Sequence, residues 1–223
     1  MPNNYQGLAS SPEMRRTYQL DYSIHMISDI AAEYDGVVDR GSLLCARSML
    51  DAFYVHVRLL ADFLVKATKG GVDFGPADFG VEWKIPTTAE AGRLGKYWDT
   101  ASKYVVHFGH PRVPDDLEEV GGFEIGSRAF KAMAADSLIV FAEFMRRLES
   151  QTPPWSEGSR IPDQEAEPHA WRDRMLSDRT NLLHDSFIEA CGKVGLDGER
   201  LLSTQANDDR RLPRIASRPT PFG

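Results

Sequence analysis

The stretch that most constrains the fold is residues 42–69, whose apolar pattern has the period of an α-helix. Apolar side chains recur there every three or four residues, and neither Gly nor Pro interrupts the run. The members of the pattern are Ala46, Met49, Leu50, Ala52, Phe53, Val57, Leu59, Leu60, Phe63 and Leu64. A helix that is apolar over most of its circumference belongs inside a bundle. The pattern therefore predicts a central helix that ends before the glycine pair at 70–71.

Three further amphipathic stretches predict helices that flank the central one, over residues 12–34, 89–108 and 127–148. A shorter helical stretch is predicted over 169–194, with a break near Ser177. Together they predict an all-α fold, a four- to five-helix bundle with long inserted loops. The residues expected to be buried are Phe53, Val57, Leu60, Leu94, Trp98, Phe130 and Phe141.

The positions of Pro-rich and polar segments predict the domain organisation. Residues 1–149 are expected to form the bundle core, and 150–168 a Pro-rich linker. Residues 169–202 are expected to add a helical segment, and 203–223 to form a disordered tail. The glycine-rich loop at 70–86 carries the aromatic residues Phe74, Phe79 and Trp83, which predict that it packs down as a lid.

Composition narrows the class of protein. A net charge of −7 over 223 residues argues against broad nonspecific binding to nucleic acid. The sequence has no apolar run of membrane-spanning length and begins with a polar stretch, so neither a membrane span nor a signal peptide is predicted. The expected location is therefore the cytoplasm. Cys45 and Cys191 lie inside helical patterns and are expected to be buried free thiols.

A polar stripe on the central helix is the first candidate site. Arg47, Asp51, Tyr54, Arg58 and Asp62 lie within about 80° of one another at 100° per residue. One interpretation is a row of ion pairs at the solvent edge, each worth about 0.2–0.5 kcal/mol. The other is that Arg58 and Asp62 face a polar pocket, where charges must be paired.

A second candidate site is the sequence from His107 through His110 to Arg112, at the end of the predicted third helix. An imidazole there can transfer protons near neutral pH, and Arg112 can hold a phosphate. The alternative is that these residues cap the helix C-terminus. A metal site would need Asp115 or Asp116 as a further ligand, and that spacing matches no standard site. Neither a metal nor another cofactor is predicted.

A third candidate is Arg179 with His184, five positions apart on the last predicted helix. The histidine can move a proton while the arginine stabilises phosphate charge. The pattern is short, however, and the chain contains many arginines, so the alternative is a chance match.

Two resemblances add to these observations. The segment with His56, Arg58 and Asp62, together with the later His107 and Arg112, resembles uncharacterised bacterial helical-bundle proteins. More remotely, the bundle is similar to HEPN-type domains, many of which are metal-independent ribonucleases of toxin and phage-defence systems. Their motif is Arg, four to six residues, then His, which Arg179 and His184 fit. The resemblance implies an RNA substrate, although here the motif follows a Pro-rich linker.

Two classes of function follow. The first is RNA cleavage without a metal, with His107 or His184 as the proton-transfer group and Arg58, Arg112 or Arg179 at the phosphate. In this hypothesis Asp62 contacts His107 and orients its imidazole. The second is a non-enzymatic interaction module that docks a protein partner or a second copy, as a homodimer, through its aromatic loop.

Overall fold

The computed structural model describes residues 11–66, 74–102, 127–153 and 162–203, and within these ranges it is built of helices without a β-strand. The α-helices of these ranges are α1 Pro12–Asp39, α2 Leu43–Val65, α3 Ala89–Ala101, α4 Ser127–Gln151, α5 Pro168–Val194 and α6 Gly198–Ser203. A 3₁₀ turn, Pro76–Phe79, lies between α2 and α3. The predicted all-α class is confirmed. The predicted disordered tail from 204 onward lies outside the described residues.

Helix α2 packs against all three of the helices that were predicted to flank it, α1, α3 and α4. It ends at Val65, because Lys66 already has an extended backbone, so the predicted end at residue 69 was too late. Helix α4 has still more neighbours, since it also contacts α5 and α6. The middle of the bundle is therefore shared by α2 and α4 rather than occupied by α2 alone.

Helix α1 begins as predicted but ends later. Ser11 is its N-cap, with the side chain accepting a hydrogen bond from Met14 N at 3.1 Å, and Pro12 opens the first turn. The helix runs through Gly36 instead of stopping there. A glycine inside a helix costs only about 1 kcal/mol relative to alanine, and Val37 packs against the core beyond it. The chain turns at Gly41, whose positive φ of 72° favours glycine.

Helix α5 covers the predicted range, but it has no break. It runs unbroken through Ser177, which is buried at 4% exposure. It packs against α1 and α4, and its side chains Leu183, Phe187 and Ala190 join the same core cluster as those of α1 to α4. The predicted additional segment thus shares its hydrophobic core with the preceding helices.

Aromatic side chains hold the core together. Phe53 of α2 stacks on Phe130 of α4 with ring centroids 4.3 Å apart, and Tyr34 of α1 meets Phe130 edge-on at 4.8 Å. Of the residues predicted to be buried, those confirmed are Phe53, Val57, Leu60, Leu94, Phe130 and Phe141. Trp98 is only partly buried, because its indole N–H donates to the half-exposed Asp62 carboxylate. Cys191 is buried as expected, whereas Cys45 is exposed, since its position on α2 faces away from the neighbouring helices.

The described part of the aromatic loop packs onto the bundle, as predicted. Phe79 is buried and meets Phe63 and Phe144 edge-on at 5.8 and 5.5 Å. Trp83 donates from Nε1 to the carbonyl oxygen of Leu64 at 2.8 Å, which ties the segment to the end of α2. Among the described helices, none is long and apolar enough to cross a membrane.

We expect Phe53→Ala to lower the free energy of unfolding by about 3–5 kcal/mol, because it removes a fully buried ring that stacks on Phe130. Urea unfolding followed by far-UV circular dichroism measures the change. Val55→Ala is the control, since Val55 is 36% exposed on the same helix and should change stability by about 0.5 kcal/mol or less. A loss below about 1 kcal/mol for Phe53→Ala would contradict this packing.

Candidate functional site

Part of the predicted chemistry falls where the chain is not described. His107, His110 and Arg112 lie in the gap at 103–126, outside the described residues, as do residues 70–73 of the aromatic loop. The predicted contact between Asp62 and His107 therefore stays a prediction. The polar stripe of α2 and the pair Arg179 and His184 lie within the described residues.

The polar stripe of α2 divides into three environments. Arg47 and Asp51 are exposed, in agreement with the solvent-edge interpretation, whereas Tyr54 is completely buried. Arg58 and Asp62 are partly buried, with Arg58 Nε 3.9 Å from Asp62 Oδ2. The stripe is therefore not uniform along its length.

Arg58 and Asp62 surround the indole of Trp98 on α3. Asp62 Oδ1 accepts the hydrogen bond of Trp98 Nε1, and the guanidinium carbon of Arg58 lies 5.7 Å from the ring centroid. On another side, Lys66 Nζ lies 4.1 Å from the same centroid. Asp62 also lines a small cavity of about 240 Å³ between α1 and α2, together with Ser23 and Phe74. This arrangement fastens α3 to α2 and leaves one carboxylate beside a small cavity.

His56, from the segment that resembles bacterial helical proteins, points towards α1. Its Nδ1 lies 3.1 Å from Ser23 Oγ, and its ring meets Tyr22 edge-on at 5.1 Å. Burial lowers the pKa of His56 below its ordinary value, because the charged form is poorly solvated there. Near neutral pH this imidazole is therefore neutral and serves to join α1 to α2.

Arg179 and His184 lie on α5 but contact different elements. Arg179 is 5% exposed and faces α1, where its Nε donates to Thr17 Oγ1 at 2.9 Å. His184 faces α4 and α6, with Nδ1 2.8 Å from Glu149 and Nε2 3.9 Å from Glu199. Among the described residues, the two side chains thus have no common hydrogen-bond partner.

Arg179 is a buried cation that the described part of the fold does not neutralise directly. Its guanidinium carbon lies 4.2 Å from the centroid of the Phe79 ring, a cation–π contact. Its Nη2 is buried and has no hydrogen-bond acceptor among the described residues. The nearby Asp78 carboxylate is bound instead to Arg16 at 3.2 Å and to the Gly75 N–H. Burial lowers the pKa of Arg179, the direction expected for a poorly solvated cation.

A cavity of about 830 Å³ opens beside this guanidinium, and we call it the Arg179 cavity. Its walls come from the N-terminus of α1, the 3₁₀ turn, the end of α4 and the first turns of α5. The lining includes Glu13, Asp78, Phe79, Trp171, Arg172, Asp173, Met175, Leu176 and Arg179. Cavities of this size hold drug-sized ligands in other proteins. Sequence reasoning singled out Arg179, and it placed Phe79 in the aromatic loop without linking the two, but it missed Thr17 and Trp171.

One signal in the sequence pointed to a buried arginine. Arg179 precedes Leu183 and Phe187 at intervals of four, so it continues the apolar stripe of α5. An arginine in such a position is directed at the core. No comparable signal identifies Thr17 or Phe79, because their proximity to Arg179 depends on how distant parts of the chain pack.

Other polar clusters connect helices. Asp136 of α4 receives two hydrogen bonds from Arg93 and one from Tyr97, all between 2.7 and 2.8 Å, and thereby holds α3 against α4. Burial, followed by the Asp136 carboxylate, raises the pKa of Tyr97 to about 12, which keeps its hydroxyl protonated. Within the described ranges, no group of three His, Cys, Asp or Glu side chains has the arrangement of a metal site.

Ser186, Asp21 and His25 also come together, but in an order unsuited to nucleophilic catalysis. Ser186 donates to Asp21, and His25 Nε2 lies 3.4 Å from the same carboxylate oxygen. The carboxylate thus stands between serine and histidine, whereas activation of a serine needs the imidazole beside the hydroxyl. This cluster joins α1 to α5.

Comparison of the chain with protein-family models, curated proteins and solved structures gives no match.

The depressed pKa of His56 predicts a pH dependence of stability. The unfolded chain takes up a proton near pH 6.5 and the folded protein only at lower pH, so stability should fall as the pH drops below about 6.5. His56→Gln should make the free energy of unfolding depend less steeply on pH between about pH 7 and pH 5, as measured by urea unfolding. His169→Gln, a change at an exposed histidine of α5, is the control. Identical slopes for wild type and His56→Gln would contradict the burial of this imidazole.

Proposed function

We propose that this protein is a ligand-binding helical bundle and that the Arg179 cavity recognises an anionic group. The observation that carries the proposal is the guanidinium of Arg179, buried at the wall of a cavity of about 830 Å³, with Nη2 lacking a described acceptor. A carboxylate or phosphate oxygen is the acceptor that a guanidinium binds best.

The cost of burying this cation supports the proposal. A buried N–H without a partner costs about 1–3 kcal/mol, and a charged group more. The contacts with Thr17 and Phe79 satisfy one N–H and one face of the guanidinium plane. Neither contact supplies a negative charge. A bound anion would provide the counter-charge, and a small shift of the guanidinium, whose Nη2 has almost no accessible surface, would let it serve as the missing acceptor.

The same geometry favours binding over cleavage. Metal-independent cleavage of RNA needs an imidazole that reaches the phosphate held by the arginine. His184 is instead held between Glu149 and Glu199 on another side of α5. His107 and His110 lie outside the described residues, so a ribonuclease remains a prediction. The interaction module also remains one, although Phe79, one of its three aromatic residues, is buried in the bundle.

We expect anions to stabilise the protein through Arg179. At a concentration a hundred times its dissociation constant, a ligand that binds only the folded state adds about 2.7 kcal/mol of stability. Acetate and phosphate should each be compared with chloride at equal ionic strength by differential scanning fluorimetry. Either anion should raise the melting temperature of the wild type, and Arg179→Gln should abolish the rise.

The control is Arg15→Gln, which makes the same chemical change at an exposed position of α1 and should keep the full response. Arg179→Lys retains the charge but not the planar donors, so this variant should keep only part of the rise in melting temperature. An equal rise in wild type and Arg179→Gln, or no rise in the wild type with either anion, would reject the proposal.

A further inference from the structure

We infer that the Arg179 cavity takes a peptide-like zwitterion, a small molecule with a carboxylate for Arg179, an ammonium group for Glu13 and an apolar body between them. The inference rests on the proposed anion site and goes beyond it in naming the class of ligand. It follows from three properties of the cavity wall: the separation of its opposite charges, its content of carboxylates, and its apolar surface.

The first property is a gap between opposite charges. Glu13, on the first turn of α1, is partly buried and lines the same cavity as Arg179. It is close enough to oppose the fall in the pKa of Arg179. No ion pair within 4.0 Å joins the two, however, and the Glu13 carboxylate has no ion pair with any other described residue. A molecule that carries both charges can occupy the space between them and satisfy each.

The second property is the sign of the remaining charges. Asp78 is compensated by Arg16, but Glu13 and Asp173 add two carboxylates to the wall against the guanidinium groups of Arg172 and Arg179. A ligand with negative charge alone, such as phosphate, would compensate Arg179 but leave the Glu13 carboxylate without a cation. A zwitterion compensates both groups, because its cationic end meets the carboxylate.

The third property is an apolar surface large enough to contact more than one side chain of a ligand. The cavity is lined by the apolar residues Phe79, Trp171, Met175 and Leu176. Phe79 and Met175 are buried. Burying apolar ligand surface against them is favourable at about 25 cal/mol per Å². A volume of about 830 Å³ suits a ligand of dipeptide size or somewhat larger.

The test uses three forms of one dipeptide, leucyl-phenylalanine: with free termini, N-acetylated, and C-amidated. The body is the same in all three, while acetylation removes the cation and amidation removes the anion. Isothermal titration calorimetry on the full chain should detect binding of the free form. Each blocked form should bind about ten-fold more weakly or worse, since each loses one charge-assisted contact.

Two variants assign the two ends. Arg179→Gln should remove the preference for the free form over the amidated one. Glu13→Gln, a change on the rim of the cavity, should remove the preference for the free form over the acetylated one. Glu33→Gln, at an exposed position of the same helix, should leave both preferences intact. Circular dichroism checks that each variant is folded, and the Glu13 variant keeps the test decisive if Arg179→Gln unfolds.

The outcomes separate this inference from the proposed function. If the acetylated form binds as tightly as the free form and needs Arg179, the proposed anion site is supported and the inference of a zwitterionic ligand is wrong. Failure of all three forms to bind, while acetate still stabilises the protein through Arg179, would also reject only the zwitterion. Binding of every form without dependence on Arg179 would overturn both.

Discussion

The packing of Phe79 is the interaction on which the candidate site depends. The edge contacts with Phe63 and Phe144 seat this ring in the bundle, and the guanidinium of Arg179 lies over it. The 3₁₀ turn that carries Phe79 also supplies one wall of the cavity. A single aromatic side chain thus packs in the hydrophobic core and also contacts a charged group, whose burial among apolar side chains alone would be unfavourable.

The environment of Arg179 differs from that of Arg93, Arg146 and Arg147. Arg93 has a carboxylate from Asp136, and Arg146 and Arg147 share Glu143. In each of these pairs the charges are compensated within the protein, and the pair fastens one helix turn to another. Arg179 has a hydroxyl and an aromatic ring instead. An uncompensated buried cation costs stability, and costs of this kind are expected at functional sites.

The sequence predicted the fold class and most of the core because the apolar stripes of α2 and α4 are continuous. It wrongly placed a break in α5, whose buried face includes the polar residues Ser177, Arg179, Thr180 and Ser186. Such residues interrupt an apolar pattern, so a break near Ser177 was expected. Trp98 was assigned to the core for its size, yet its N–H requires a partner, and it donates to the partly exposed carboxylate of Asp62. The cavity itself could not be predicted, since its walls come from four separated parts of the chain.

The hydrogen bond between Thr17 and Arg179 joins residues 162 positions apart. During synthesis at the ribosome, α1 emerges long before α5. Thr17 of α1 and the ring of Phe79 therefore cannot contact the guanidinium of Arg179 until α5 has been made. Contacts of such large sequence separation form late, because the intervening chain must first be ordered. The proposed ligand would therefore bind only to chains in which α1 and α5 have packed together, and a nascent chain that lacks α5 would not contain the site.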